Sequence, residues 1–231
     1  MNQDELKAFF DQKAPEYNQQ WHKMAPINDG LYFFLHTIFA PLPSQARVLC
    51  VGAGTGKELI FLAQQFPDWH FTVVEPSGTM LRICRQSVDT SGFTSRCTFH
   101  EGYLDTLAVT EKHDAATCFL VSQFIVDPEQ RSALFRQIAD SLKPGGLLVS
   151  SDLASDTASQ NYRQLLALWL KVMSSAAIAD EDISKMKQAY AKDVAILPSS
   201  QIASIIASGG FTSPVQFYQA GFIHAFFAAR S

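Results

Sequence analysis

Residues 48–58 read VLCVGAGTGKE, a β-prone run that leads into Gly52, Gly54 and Gly56 and then into a helix-forming stretch. Glycines at such a junction let backbone N–H groups approach a ligand closely, and the start of the following helix favours a negative group. The dinucleotide fingerprint G-x-G-x-x-G would put its third glycine at position 57, where this chain has Lys57, so a nicotinamide cofactor is disfavoured. A Walker phosphate loop fits less well still, with Val51 at its first glycine and Glu58 in place of Ser or Thr, so ATP hydrolysis has little support. The next β-prone run, HFTVVE, ends at Glu75 in VVEPSGTML. A carboxylate at the end of the strand beside a glycine loop can accept both hydroxyls of a ribose; the plainer role is to favour the helix that begins after Pro76.

Holding a glycine loop beside that carboxylate takes parallel strands. The β-rich runs are RVLCV (47–51), HFTVVE (70–75), CTFH (97–100), DAATCFLV (114–121) and LLVSSDL (147–153). Between them lie the helical stretches KELIFLAQQF, SGTMLRICRQSV and PEQRSALFRQIADSL, an alternation that predicts an α/β sandwich with crossover helices. Residues 3–12 and 28–40 read as helices and form an N-terminal cover over 1–45. Residues 159–208 read as helices interrupted near Ala179 and Pro198, within a helical insert spanning 154–210. Two last strands, 211–219 and 222–230, are joined by Ala220 and Gly221 alone, too little for a crossover, and so form an antiparallel hairpin. The whole chain, 1–231, is predicted to be a single domain.

With 47% hydrophobic and 17% charged residues in 231, the chain has ample material for a buried core. A formal net charge of -4 gives no basic footprint for direct nucleic-acid binding. Four scattered cysteines without C-x-x-C or His at ligand spacing argue against a zinc site or disulfide framework. The start, MNQDELKAFF, is unlike a secretory signal, and no apolar run reaches 18 residues, so a cytoplasmic protein without membrane association is expected.

VLCVGAGTG, VVEPSGTML, HEGYLDTL (100–107), DAATCFLVSQF (114–124) and LKPGGLLVSSDL (142–153), followed by a terminal hairpin, resemble the class I S-adenosylmethionine-dependent methyltransferases in motif order over roughly residues 10–231. The resemblance implies a Rossmann-like seven-stranded sheet in the order 3-2-1-4-5-7-6 with strand 7 antiparallel, and S-adenosylmethionine as cofactor. Carried across position by position, it implies that Gly52, Ala53 and Gly54 pack against the methionine part and Glu75 holds the ribose hydroxyls. Pro76 and Met80 would flank the adenine, and Gly102, Tyr103 and Leu104 would line its edge. Phe119, Leu120 and Val121 would lie beneath the sulfonium, and Tyr17 resembles an N-terminal aromatic that closes over the cofactor, a buried packing role being the alternative. The chain departs from the pattern at Cys50, where the family carries an acid that helps hold the cofactor's amino group, and at Tyr103, where an Asp is frequent. Glu58, in the first helical turn, is a substitute for the first; interaction with the helix dipole is its more ordinary role.

After strand 4 the chain reads LVSQF, without the [D/N/S]-P-P-[F/Y/W] motif of nucleic-acid amino-methylating enzymes. The cover and the insert are expected over the carboxyl ends of the strands as a lid, the insert serving equally as the surface of a homodimer. Trp21, Tyr32, Tyr162, Trp169 and Tyr190 in these segments suit either an apolar pocket for a small-molecule methyl acceptor or plain packing on the sheet. His22, His36, Gln123 and Asp152 are within reach of such a pocket; none of them stands out as a catalytic base. The segment 154–231 also resembles the carboxy-S-adenosylmethionine synthase subgroup, but SSQIASIIASGGF holds neither Arg nor Lys to grip the extra carboxylate, which favours ordinary S-adenosylmethionine. A catalytically silent S-adenosyl-ligand-binding protein and a nicotinamide-linked oxidoreductase are the competing readings.

Overall fold

The computed structural model describes residues 1–22, 24–175 and 180–231. Five parallel strands, β1 (Arg47–Val51), β2 (His70–Glu75), β3 (Cys97–Glu101), β4 (His113–Phe119) and β5 (Leu142–Leu153), and the hairpin of β6 (Phe211–Ala220) with β7 (Ile223–Arg230) form one sheet. The order is β3-β2-β1-β4-β5-β7-β6, with β7 antiparallel to both neighbours. The strand order reverses between β1 and β4, which opens a crevice at their carboxyl ends.

Helices cover both faces. On one, α2 (Ala25–Phe39), α3 (Lys57–Gln65) and α4 (Gly78–Thr90) pack Leu35, Phe39, Leu59, Leu62, Leu81 and Val88 against Val48, Cys50 and Val73. On the other, α5 (Pro128–Ser141) and α8 (Ser199–Ser208) pack Phe135, Ile138, Ile202 and Ile206 against Leu49, Val51, Leu148 and Phe226. Burial on both faces is why the central strands read as apolar runs without alternation. A third cluster joins α6 (Gln160–Ser175) and α7 (Asp180–Lys192) to the end of the sheet through Trp169, Met173, Ile183, Leu153, Phe222 and Ile223, with Met24 from the N-terminal segment.

Several boundaries differ from expectation. The first helix, α1 (Gln3–His22), runs ten residues beyond the predicted end and carries Pro15 in its interior. Tertiary anchors on either side of the proline hold it: Asp11 Oδ1 accepts from Ser77 Oγ (2.6 Å) and Thr79 N (3.0 Å), and Asn18 Oδ1 accepts from Thr55 Oγ1 (2.7 Å). β4 stops at Phe119 because Leu120 turns to φ 56. β5 begins at Leu142, with a register shift against β4 where the LKPGG stretch is accommodated. The hairpin turns on Gly221 and Phe222, one residue later than the spacing suggested. The helix interruption expected near Ala179 lies outside the described residues.

Candidate functional site

A cavity of about 1060 Å³ lies at the carboxyl ends of β1, β2 and β4 under α1. It brings together Tyr17, Gly52, Gly54, Glu75, Pro76, Met80, Gly102, Tyr103, Leu104, Phe119, Leu120 and Val121. A smaller recess of about 80 Å³ adjoins it at the glycine loop, sharing Tyr17, Gly52, Gly54, Phe119 and Leu120 and adding Ala53, Thr55, Lys57, Glu58, Trp21, Asn28 and Tyr32. Every residue singled out from the sequence as cofactor-binding thus borders one of the two spaces.

The loop follows β1 in a conformation only glycine adopts at low cost. Gly52 has φ 65, and a Cβ there would sit 2.3 Å from Val121 Cγ2; Gly54 has φ 56, and a Cβ there would meet nothing within 4 Å. The backbone at Gly54 therefore faces open space. Glu75 is 6% exposed. Its Oε2 accepts from Gly54 N (2.8 Å) and its Oε1 from Ser77 N (2.8 Å), so the carboxylate ties the loop to the start of α4. Burial pushes its pKa up, and the two N–H groups pull back against that. Each oxygen has a second acceptor site left for a donor from the cavity.

Ser77 caps α4 by accepting from Met80 N (3.1 Å), which fixes Pro76 and Met80 at the cavity wall. Burial tends to raise the carboxyl of Asp11, but the hydrogen bonds from Ser77 and Thr79, with nearby Lys7, outweigh it and hold the group below its ordinary value. Tyr103 donates its hydroxyl to Gln3 O (2.8 Å), pinning the start of α1 across the opening, while Asp105 lines the wall beside it. The floor is Phe119, Leu120 and Val121. Leu120 holds positive φ while its N–H bonds Ser151 O (2.8 Å), a strained backbone of roughly 1–3 kcal/mol at the point where the cavity and the recess meet.

The residues considered as a base are placed elsewhere. Asp152 and Arg131, both fully buried, form an ion pair (2.8 Å), joined by Ser122 Oγ, which donates to Asp152 Oδ1 (2.7 Å) and accepts from Arg131 Nε (2.8 Å). Gln123 Oε1 accepts from Leu153 N (2.9 Å), and His36 stacks on Phe66 with ring centroids 5.3 Å apart. His224 pairs with Ser199 (2.8 Å) between β7 and α8. None of these borders either space among the described residues. Sequence reasoning did not single out Asp11, Asn18 or Thr55. Their only signal is polarity on the helix α1 and in the loop, which carries no meaning until the two are brought together.

Donor and acceptor chemistry at the site fits an S-adenosyl nucleoside: a buried carboxylate with spare acceptor capacity for a ribose, bare backbone at Gly54, and an apolar wall at Met80 and Leu104. Comparison with known proteins agrees. Residues 48–146 match the family model described as a methyltransferase domain. A protein of Synechococcus sp. described as uncharacterized is 30% identical over 139 residues, 60% of this chain and 31% of its own length. Carboxy-S-adenosyl-L-methionine synthase of Campylobacter lari is 30% identical over 118 residues, 51% of this chain and 48% of its own. The matched stretches thus span less than half of these relatives. An O-methyltransferase family 2 protein from Planctomyces limnophilus, solved in complex with apigenin, shares the fold at TM-score 0.61 and 16% identity over 83% of this chain and 52% of that one. Residues 48–146 are thus similar to a methyltransferase domain, and the chain has the seven-stranded fold of the class I methyltransferases.

Proposed function

We propose that the protein is an S-adenosylmethionine-dependent methyltransferase acting on a small organic molecule. The observation that carries this reading is the convergence of the Gly52–Gly54 loop, the buried Glu75 carboxylate and the Phe119–Val121 floor on one cavity. In it Glu75 accepts the ribose hydroxyls while its bonds to Gly54 N and Ser77 N keep it in place. Gly52, Ala53 and Gly54 hold the methionine part, Pro76 and Met80 flank the adenine, and Gly102, Tyr103 and Leu104 border its edge. The bound cofactor supplies an activated methyl group on a cationic sulfur. The protein's own contribution is position: an apolar floor, a cover of α1 and α2, and exclusion of water, which for well-oriented reactants can contribute ~7 to 11 kcal/mol.

In this reading the helices of 1–45 and 154–210 form a lid over the strand ends; α1 borders the cavity, while α6 and α7 pack on the end of the sheet and, among the described residues, nothing in 154–210 borders it. The likeness to the carboxy-S-adenosylmethionine synthases supports a second reading, a carboxylated cofactor. Lys7 of α1 borders the cavity, but the floor of Phe119, Leu120 and Val121 carries no cation and SSQIASIIASGGF holds neither Arg nor Lys, which favours the ordinary methyl donor. Among the described residues no helix is long and apolar enough to cross a membrane, and the net charge of -4 suits a small acceptor better than a nucleic acid. Calorimetric titration with S-adenosylmethionine and S-adenosylhomocysteine tests the cofactor, with micromolar affinity for both expected and no heat from either overturning it. Mass spectrometry of the nucleoside that copurifies separates methylated, demethylated and carboxylated forms.

A further inference from the structure

The cofactor reading uses only part of the main cavity. Apart from Tyr17, its residues lie at the carboxyl ends of β1 to β4 and at the start of α4; Leu6 and Phe10 of α1, Phe124 and Val126 of the β4–α5 loop and Leu134 of α5 line another side of the same space. Pockets that enclose one drug-sized molecule span roughly 300–1,000 Å³, so about 1060 Å³ leaves room for a second molecule beside the cofactor. This other side is apolar and built from two distant parts of the chain. Leu6 and Phe10 are one turn apart on α1 and share a face. Phe10 meets Phe124 edge-to-face with ring centroids 5.4 Å apart, and Phe124 N donates to Val121 O (3.1 Å), so the aromatic pair continues directly from the cavity floor. At the mouth two large apolar side chains stand in water: Phe9, 39% exposed and packed on Phe10 (5.4 Å), and Val126, 51% exposed. Charge is kept to the rim, where Asp4, Asp105 and Asp127 are exposed, Asp127 capping α5 through Oδ1, and Lys7 is half-buried and turned to Asp11.

We infer that this side of the cavity receives the methyl acceptor, and that the acceptor is an elongated, largely hydrocarbon molecule, aryl or alkyl. It lies along Leu6, Phe10 and Phe124, with its reactive end toward the Phe119–Val121 floor and its other end at the mouth between Phe9 and Val126. This rests on the cofactor reading above and narrows the small organic molecule to an apolar one. A sugar or nucleoside acceptor would turn its hydroxyls against Leu6, Phe10 and Phe124 and lose their hydration without a partner, whereas a hydrocarbon body removes apolar surface of both molecules from water.

The test uses N-phenyl-1-naphthylamine, an uncharged aromatic probe that fluoresces in apolar surroundings, titrated into protein saturated with S-adenosylhomocysteine. Wild type, Phe10→Ser, Val126→Asp and Phe33→Ser are compared; Phe33 is 70% exposed on α2 and borders neither space. Expected is probe binding to the saturated wild type, a loss of about 10-fold in probe affinity for Phe10→Ser and a smaller loss for Val126→Asp. Phe33→Ser should bind the probe as wild type does, and calorimetry should show unchanged S-adenosylhomocysteine affinity throughout. Should Phe10→Ser weaken both ligands by unseating α1, Val126→Asp at the mouth decides. Displacement of the probe by S-adenosylhomocysteine, probe affinity unmoved by Val126→Asp, or its loss in Phe33→Ser overturns the inference and leaves the cofactor reading standing. Absence of S-adenosylhomocysteine binding to wild type overturns the cofactor reading, and the acceptor assignment with it, whatever the probe does.

Discussion

Glu75 and Glu58 are both buried acids at the glycine loop, but they are held differently. Glu75 accepts from two backbone N–H groups and faces the main cavity, where a ribose would sit. Glu75→Gln should weaken binding of S-adenosylhomocysteine and methylthioadenosine alike, by about 1–3 kcal/mol, as read by calorimetry. Glu58 should show its burial in stability as well. Its pKa rises from 4.5 unfolded to about 8 folded, so the folded state holds the extra proton between these values, and the stability this contributes is lost as pH rises through about 8. Without ligand, Glu58→Gln should therefore melt above wild type at pH 8, by about 2–4 °C for each kcal/mol relieved, with the gap closing toward pH 4.5. Glu75 was legible in the sequence from its place at the end of a strand beside a glycine loop. Glu58 was legible only as one of two alternatives, because a first-turn acid looks the same whether it faces solvent or a recess.

At the scale of elements, the loop after β4 connects the cavity floor to the rest of the sheet. Residues 119–121 form the floor, and the next residue, Ser122, joins the buried Arg131–Asp152 pair that ties α5 to β5. Burial raises the Asp152 carboxyl, and Arg131 and Ser122 oppose that. Arg131→Met should leave this acid buried without its partner and cost roughly 3–5 kcal/mol, while Arg131→Met with Asp152→Leu should recover most of the loss, both read from urea unfolding. The strands and the helices α3 to α5 were legible from period and glycine position. The passage of α1 through Pro15 was not, since local rules end a helix there and only the contacts of Asp11 with Ser77 and Thr79, and of Asn18 with Thr55, hold it together.

Across the whole molecule, Trp169 joins α6 to both α7 and the terminal hairpin. Trp169, 3% exposed, packs on Phe222 with centroids 5.9 Å apart, lies against Gly221 in the hairpin turn and donates Nε1–H to Tyr190 (3.1 Å). Trp169→Ala should cost about 3–5 kcal/mol and, in hydrogen exchange, release α6 and α7 while the central strands stay protected. Expected from the sequence as lining of an apolar pocket or as packing on the sheet, it borders neither the cavity nor the recess and packs. The sequence by itself determined the alternation of strand and helix, the terminal hairpin and the glycine-loop carboxylate pair, because hydrophobic period, a connector too short to cross over and positive-φ glycines are local constraints. Only the tertiary structure decided that Asp152 and Gln123 turn into internal bonds away from the cavity, and that Glu58 shares a recess with Lys57 and with Tyr17, Trp21 and Tyr32 of α1 and α2. Those outcomes depend on which face of one element lands on another, and no local preference of the chain encodes that.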